Sequence, residues 1–300
     1  MRQSARSGRP HLPAQERAVP QLIEPDPGAG PAPASGSSPT SGASPASAAE
    51  LDLLRTGEIE LIGRLVESSN NALLVRVAGP ASEALAWEPD GASPLSGLGR
   101  AFFAVWKPTA GERPLFDFPV GTLTHREVAA FEVSEALGWS IVPPTVLRDG
   151  PYGEGMLQRW VEVDPAADVV AMLTGDDPRL RRIALFDAIV NNTDRKGGHL
   201  LPVPGGHLHA VDHGVTFSVV PKLRTVLWAW EGEPFDGEEQ AALRSLAEAL
   251  RAGSSLERTL RRLLAAREVT ATRRRVDALL AEAVFPGPNP DWPAIPWPPF

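Results

Sequence analysis

The segment Asn191–Leu201, NNTDRKGGHLL, brings one acid, two cations, two glycines and a histidine together between apolar flanks. A carboxylate beside Arg195 and Lys196 can handle a proton next to bound negative charge. Gly197 and Gly198 let backbone turn close to a phosphate, and His199 adds a metal or phosphate ligand. Two further candidates lie far away in sequence: Lys107, ending the alternating run AFFAVWKP, and Asp212 in HLHAVDHG. A strand lysine, a helix glutamate, an Asp loop and a second Asp after a strand form, in that order, the set that phosphoryl transfer from ATP needs. That reaction asks the protein for positioning and charge neutralisation by a lysine, metal ions and a base.

Composition narrows the field. The 29 lysines and arginines include only three lysines, Lys107, Lys196 and Lys222, so each is a candidate for a role that needs a compact ammonium rather than a planar fork. A net charge of −8 and a pI near 5.4 argue against a nucleic-acid partner, which requires a concentrated basic surface. The absence of cysteine removes disulfides, thiolate chemistry and palmitoyl anchoring. No apolar run follows Arg2, Arg6 and Arg9, and none reaches the roughly 18 residues of a membrane span. The expectation is a soluble cytoplasmic protein with no transmembrane segment.

The elements that must position these residues follow from hydrophobic period. Residues 1–50 read as a disordered tail, since Pro25–Ala49 uses only Pro, Asp, Gly, Ala, Ser and Thr. EIELIGRLV and ALLVRVAG read as a hairpin around SSNN, and AFFAVWKP as a third strand. A helix over Thr124–Trp139 opens with a capping box, Thr124-x-x-Glu127. IVPPTVLRDG and GEGMLQRWVEV predict two more strands, closing a small antiparallel lobe at residues 51–162. From 163 to 285 the pattern is mainly helical, with a helix over Asp177–Asn192, a short β pair and two amphipathic helices from Glu238 to Val284. Residues 286–300 are proline-broken, with Trp292, Ile295, Trp297 and Phe300 suggesting an extended strap that docks on the body.

NTDRKGGH and VDHG, with the run REVAAFEVSEALGWSIVPPTV, resemble the phosphatidylinositol 3- and 4-kinase superfamily. The loops are most similar to those of the type II phosphatidylinositol 4-kinases, and the whole resembles an uncharacterised bacterial family of such proteins. The resemblance covers about residues 58–217. It implies an α+β, two-lobed protein-kinase-like fold and an ATP-dependent phosphotransferase acting with Mg²⁺ or Mn²⁺ on a hydroxyl acceptor that the sequence does not identify: a lipid, a protein or a small metabolite.

Carried over, the resemblance makes Asp194 the aspartate that orients the substrate hydroxyl, with Arg195 bracing the loop, and Asp212 the metal ligand. Lys107 would reach the α- and β-phosphates. Lys196 would either neutralise the γ-phosphate or be a solvated loop residue. Glu127 would pair with Lys107, although a capping box alone explains it, and Glu132 and Glu135 compete for the pairing. Ser68, Ser69 and Asn70 would cover the phosphates from the hairpin tip. Backbone from Gln158 through Trp160 to Val161 would contact adenine, with Met156 or Leu157 against the base. Asp187 and Asn192 would orient the catalytic loop by hydrogen bonds.

One position departs from the pattern. His199 stands five residues after Asp194, where the family has a metal-binding Asn, and imidazole suits Mn²⁺ better than Mg²⁺. Either metal preference has changed, or His199 contacts phosphate, or the site is a nucleotide-binding regulatory module without turnover. HLHAVDH also suggests a metal-dependent hydrolase, one residue too long for its usual spacing. PKLRTVLWAW, with Lys222, Arg224, Leu227, Trp228 and Trp230, offers a peripheral membrane contact or, more plainly, packing into the helical lobe.

Overall fold

The computed structural model describes residues 46–65, 71–79 and 101–300. The tail up to residue 45 and the hairpin tip with Ser68, Ser69 and Asn70 lie outside the described residues. A first helix, α1 (Ala48–Thr56), starts within the stretch that composition assigned to the tail. Ser47 caps it by accepting the Glu50 amide, and Leu54 is fully buried against the sheet. Arg148 Nη1 donates to the carbonyls of Leu54 and Gly57 at its C-terminal end. The helix is held by these long-range partners, which composition does not report.

Five strands follow the period-2 pattern: β1 (Glu58–Arg64), β2 (Leu73–Ala78), β3 (Ala101–Pro108), β4 (Thr145–Gly150) and β5 (Gly153–Arg159). They pair antiparallel in the order β1-β2-β3-β5-β4. Val75, Val77, Ala104 and Trp106 point into the sheet's own core with Leu54. Alternation then forces Val105 and Lys107 onto the opposite face. Trp106 fits because β4 and β5 carry glycines beside it: a Cβ at Gly150 would lie 2.6 Å from the indole.

Helix α2 (Leu123–Leu137) is buried nearly all round, with Val128, Ala129, Ala130 and Phe131 among the core. Its start differs from the expected capping box. Thr124 sits inside the first turn, and its amide and hydroxyl both meet Glu112 Oε1, at 2.8 and 3.0 Å. A carboxylate from the preceding loop therefore serves the helix N-terminus, and Glu127 is free for other work.

The second lobe is mainly helical: α3 (Val169–Thr174), α4 (Pro178–Val190), α5 (Gly237–Ala249), α6 (Ser255–Leu263) and α7 (Ala266–Glu282), with the short pair β6 (Leu200–Pro202) and β7 (Leu208–Ala210). Sequence periodicity predicts one helix from Ser255 to Val284, but the chain breaks between α6 and α7. Leu264 is extended there and buried, and Glu268 caps the new helix through the Ala265 amide. Glu268 also accepts from Arg126 of α2 at 2.7 Å, a buried ion pair that fixes where α7 must begin. The fold class is α+β, with a small antiparallel lobe and a mainly helical lobe, as the sequence predicts.

Lys107 is placed by close contact between β3 and β5. A Cβ at Gly155 would lie 2.5 Å from the Lys107 carbonyl and 2.9 Å from the Trp106 ring. Gly155→Ala should therefore destabilise the protein by about 1–3 kcal/mol in denaturant unfolding, the usual range for overpacking. An unchanged midpoint would show that the two strands can separate without cost.

Candidate active site

Between the lobes lies a cleft of about 380 Å³. Leu65, Ala72 and Val105 line it from the sheet, Gln158–Val161 from the connection, and Lys107, Asp194, Lys196, His199 and Asp212 from its polar end. Leu201 and Val211, which flank the β6–β7 pair, supply its apolar floor. Neither drew notice in the sequence, because short apolar residues in a loop-rich stretch have no period to mark them.

Lys107 Nζ donates to Glu127 Oε1 at 2.7 Å and to Asp212 Oδ1 at 3.2 Å. Burial opposes its charge, but Asp212 and Glu127 outweigh that and hold the ammonium above the usual lysine range. Lys107 in turn keeps Asp212 well below the usual carboxylate range, against the cost of burial. Glu127 is buried, which pushes its carboxyl up while Lys107 pulls it down. Its second oxygen accepts the His213 amide at 2.8 Å, so one carboxylate ties the sheet lysine to the Asp212–His213 turn. Glu132 and Glu135 do not approach Lys107: Glu132 faces Arg55 and Arg262, and Glu135 the Ala46 backbone. Asp212 has a φ of 63°, a left-handed conformation that is uncommon outside glycine and is kept where function or context demands it.

Asp194 follows the end of α4. Asn191 caps that helix in the left-handed region, φ 53°, and its side-chain amide donates to the Ser218 and Val220 carbonyls. The loop then turns on Asp187, which accepts from Asn192 Nδ2 at 2.9 Å and takes Arg195 through Nε and Nη2 at 3.0–3.2 Å. Asp187 and Arg195 have no side-chain exposure at all. Arg195 also donates to the Val211 carbonyl and meets His213 Nε2 at 2.6 Å. It is not among the residues that line the cleft, and its bonds hold the loop from behind. Burial, and then the Arg195 guanidinium, hold His213 far below the usual histidine range, which leaves Nε2 as the acceptor of that bond.

Asp194 does reach the cleft. Its amide donates to Asn192 Oδ1, and its Oδ1 accepts from Arg224 Nη2 at 3.0 Å. Lys196 Nζ lies 3.6 Å from Oδ2. Burial raises the carboxyl's pKa despite both cations. Arg224 also donates to the Thr193 carbonyl, which makes it a clamp on the loop that nothing in its local sequence announces. His199 Nε2 sits 3.5 Å from Asp212 Oδ2, and burial lowers its pKa to about 4.

Several expectations change. Met156 and Leu157 are fully buried and do not line the cleft: Leu157, opposite Trp106, joins the sheet's own core, while Met156, opposite Lys107, lies on the other face and is covered there. Gln158 lines the cleft but spends its amide on Thr145 Oγ1, and the Trp160 amide is held by the Phe103 carbonyl. His207 and His209 bond the backbone carbonyls of Ser140 and Ile141 and stack on one another. Among the described residues no three His, Asp or Glu side chains converge to hold a metal. The segment Pro221–Trp230 faces inward: Lys222 is buried on Asp117 at 2.5 Å, Leu227 and Trp230 are core, and Arg224 serves Asp194. Among the described residues no helix is long and apolar enough to cross a membrane.

The strap closes against the loop that follows Asp194. The Gly197 amide donates to the Pro299 carbonyl at 2.8 Å, and the Ala294 carbonyl accepts from the Thr225 amide and Trp228 Nε1. The Phe300 ring packs on Gly197 so closely that a Cβ there would overlap it. Gly197→Ala should destabilise the protein by about 1–3 kcal/mol. Adding Phe300→Ala should return part of that loss, an interaction energy readable in a double-mutant unfolding cycle. Strict additivity would remove the contact from consideration.

No protein-family model matches the chain. Solved structures with similar folds include the Golgi casein kinase, also solved with Mn and ADP bound (15% identity, 78% of this chain and 74% of that one, TM-score 0.42), and hydra Fam20 with sugar (12%, 78% and 87%, 0.43). The Helicobacter pylori proinflammatory kinase CtkA is a third (10%, 75% and 97%, 0.39). In sequence, Protein Rv2133c of Mycobacterium tuberculosis is 40% identical over 284 residues, which span 83% of this chain and 94% of that protein. Identity at that level over nearly the full length of both means common descent, and the chain belongs to the family of Rv2133c.

Proposed function

We propose that the protein is an ATP-dependent phosphotransferase that passes the γ-phosphoryl group to a hydroxyl acceptor. The observation that carries this reading is Lys107, held between Glu127 and Asp212 in a cleft whose other wall presents Asp194. A buried lysine kept charged by two carboxylates is suited to bind anionic phosphate, and the apolar walls of Leu65, Ala72, Val105, Leu201 and Val211 suit a flat aromatic base.

In this mechanism Lys107 neutralises the α- and β-phosphates, and Glu127 keeps it aimed into the cleft. Asp194, fixed by Arg224 and the Asn192 side chain, orients the acceptor hydroxyl and takes its proton as the new P–O bond forms. Lys196, 3.6 Å from Asp194, meets the negative charge of the group in transit. Asp212 and His199 face one another and together would hold a divalent cation that offsets phosphate charge, with the phosphates completing its coordination. A mixed oxygen and nitrogen pair suits Mn²⁺ at least as well as Mg²⁺. The acceptor class is open among lipids, proteins and small metabolites, and the phosphatidylinositol 4-kinase likeness of the loops is the argument for a lipid. A second reading, nucleotide binding without turnover, draws on His199 standing where the kinase pattern has Asn.

Incubation with labelled ATP and a lysate separated into lipid, protein and small-molecule fractions should transfer label to one fraction. Asp194→Ala should lower that transfer by about 10²–10⁴-fold while leaving the nucleotide-dependent thermal shift in place. Lys107→Ala should reduce the shift itself. Equal labelling by wild type and Asp194→Ala would remove Asp194 from the reaction, and binding without any labelling would establish the second reading. His199→Asn should raise the ratio of turnover with Mg²⁺ to that with Mn²⁺, and an unchanged ratio would take His199 out of the metal site.

A further inference from the structure

A second cleft, of about 720 Å³, lies between α7 and the segment Val219–Leu223. Its volume is that of a small-molecule site. On α7, Arg267, Ala271, Arg274 and Ala278 recur at helical spacing along one face, and the two alanines leave the floor open. Val219, Pro221 and Leu223 give an apolar opposite wall.

Its charge is unbalanced. Arg267, Arg274 and Arg275 all line the cleft, against one acid, Glu282. None of the three arginines pairs with a carboxylate among the described residues, although most of the chain's other lining and core arginines do, as Arg126, Arg181 and Arg195 show. Arg275 is the telling member. It is partly buried, and among the described residues its guanidinium is met by the carbonyls of Ile189 and Ser218, at 2.6 and 3.0 Å, and by no carboxylate. Burial without a counter-ion lowers its pKa to about 10, so it stays charged at neutral pH. A buried cation is ordinarily paired, because desolvating it alone is costly. Arg267 and Arg274 stand two turns apart, about 10 Å along the helix, on either side of Ala271.

We propose that this cleft binds a small amphipathic anion, an alkyl or acyl chain bearing a phosphate or carboxylate head. The chain lies over Ala271, Ala278, Val219 and Leu223, and the head meets the arginines. The wall of the cleft runs straight into Arg224, which clamps Asp194, so the site adjoins the catalytic loop along the backbone. Binding here does not depend on the phosphotransferase reading.

The test is calorimetric titration of the full chain with decyl phosphate and with decanoate, both below micellisation, alongside inorganic phosphate and decanol as half-ligands. One decyl anion should bind saturably at one site, at least ten-fold more tightly than either half-ligand, and saturating ADP should not compete. The two decyl arms tell a phosphate head from a carboxylate. Arg267→Glu with Arg274→Glu, both at exposed positions, should weaken binding ten-fold or more with an unchanged melting temperature. Ala271→Trp should do the same by filling the floor. Wild-type affinity in the charge-reversed protein, competition by ADP, or half-ligands as good as the decyl anions would overturn the proposal. So would binding of anionic vesicles or a polyglutamate peptide in place of the decyl anions.

Discussion

Asp187 and Arg195 form an ion pair with no exposure to solvent, and the loop that carries Asp194 is built around it. A buried carboxylate without partners would cost several kcal/mol. Here it is satisfied by Arg195 and Asn192, with the Thr225 hydroxyl at its edge. Asp187 and those partners lie on three different stretches of chain. The pair therefore joins the end of α4, the loop carrying Asp194 and the segment carrying Arg224, and Arg195 extends the network to Val211 and His213. Moving any one of them would leave a buried charge unmet, so the loop has one conformation rather than several.

Glu127 does for the space between the lobes what Asp187 does within the helical one. Its two oxygens are divided between Lys107 of the sheet and the His213 amide of the second lobe. It can do so because Glu112 relieves it of helix capping. The geometry of the polar end of the cleft thus depends on a loop glutamate that does not line it. The strap has a comparable supporting position, packing Phe300 on Gly197 and bridging to Thr225 and Trp228.

Period and local chemistry were enough to read the five strands, α2, α4 and the antiparallel lobe, because each buries one face and alternates accordingly. They were also enough to single out Lys107, Asp194, Asp212 and His199, since scarce lysine and an Asp-Arg-Lys-Gly-Gly-His run are visible without coordinates. They failed where the deciding partner is remote. The α6–α7 break answers to Arg126, α1 to Leu54's place under the sheet, and the burial of Leu157 to the core it shares with Trp106. The tryptophans and cations of Pro221–Trp230 look the same in sequence whether they face lipid or core.

By itself, the sequence determined which side chains were available for chemistry, their order along the chain and the faces that had to be buried, because these follow from residue type and backbone period. Only the tertiary structure decided that Glu127, rather than Glu132 or Glu135, meets Lys107, that Arg195 is buried on Asp187 and Arg224 takes the place beside Asp194, and that three arginines share one cleft with a single acid, Glu282. Each of these is a choice among chemically equivalent residues. Such choices are settled by which charges share a desolvated volume, a property of distance in space that sequence spacing does not encode.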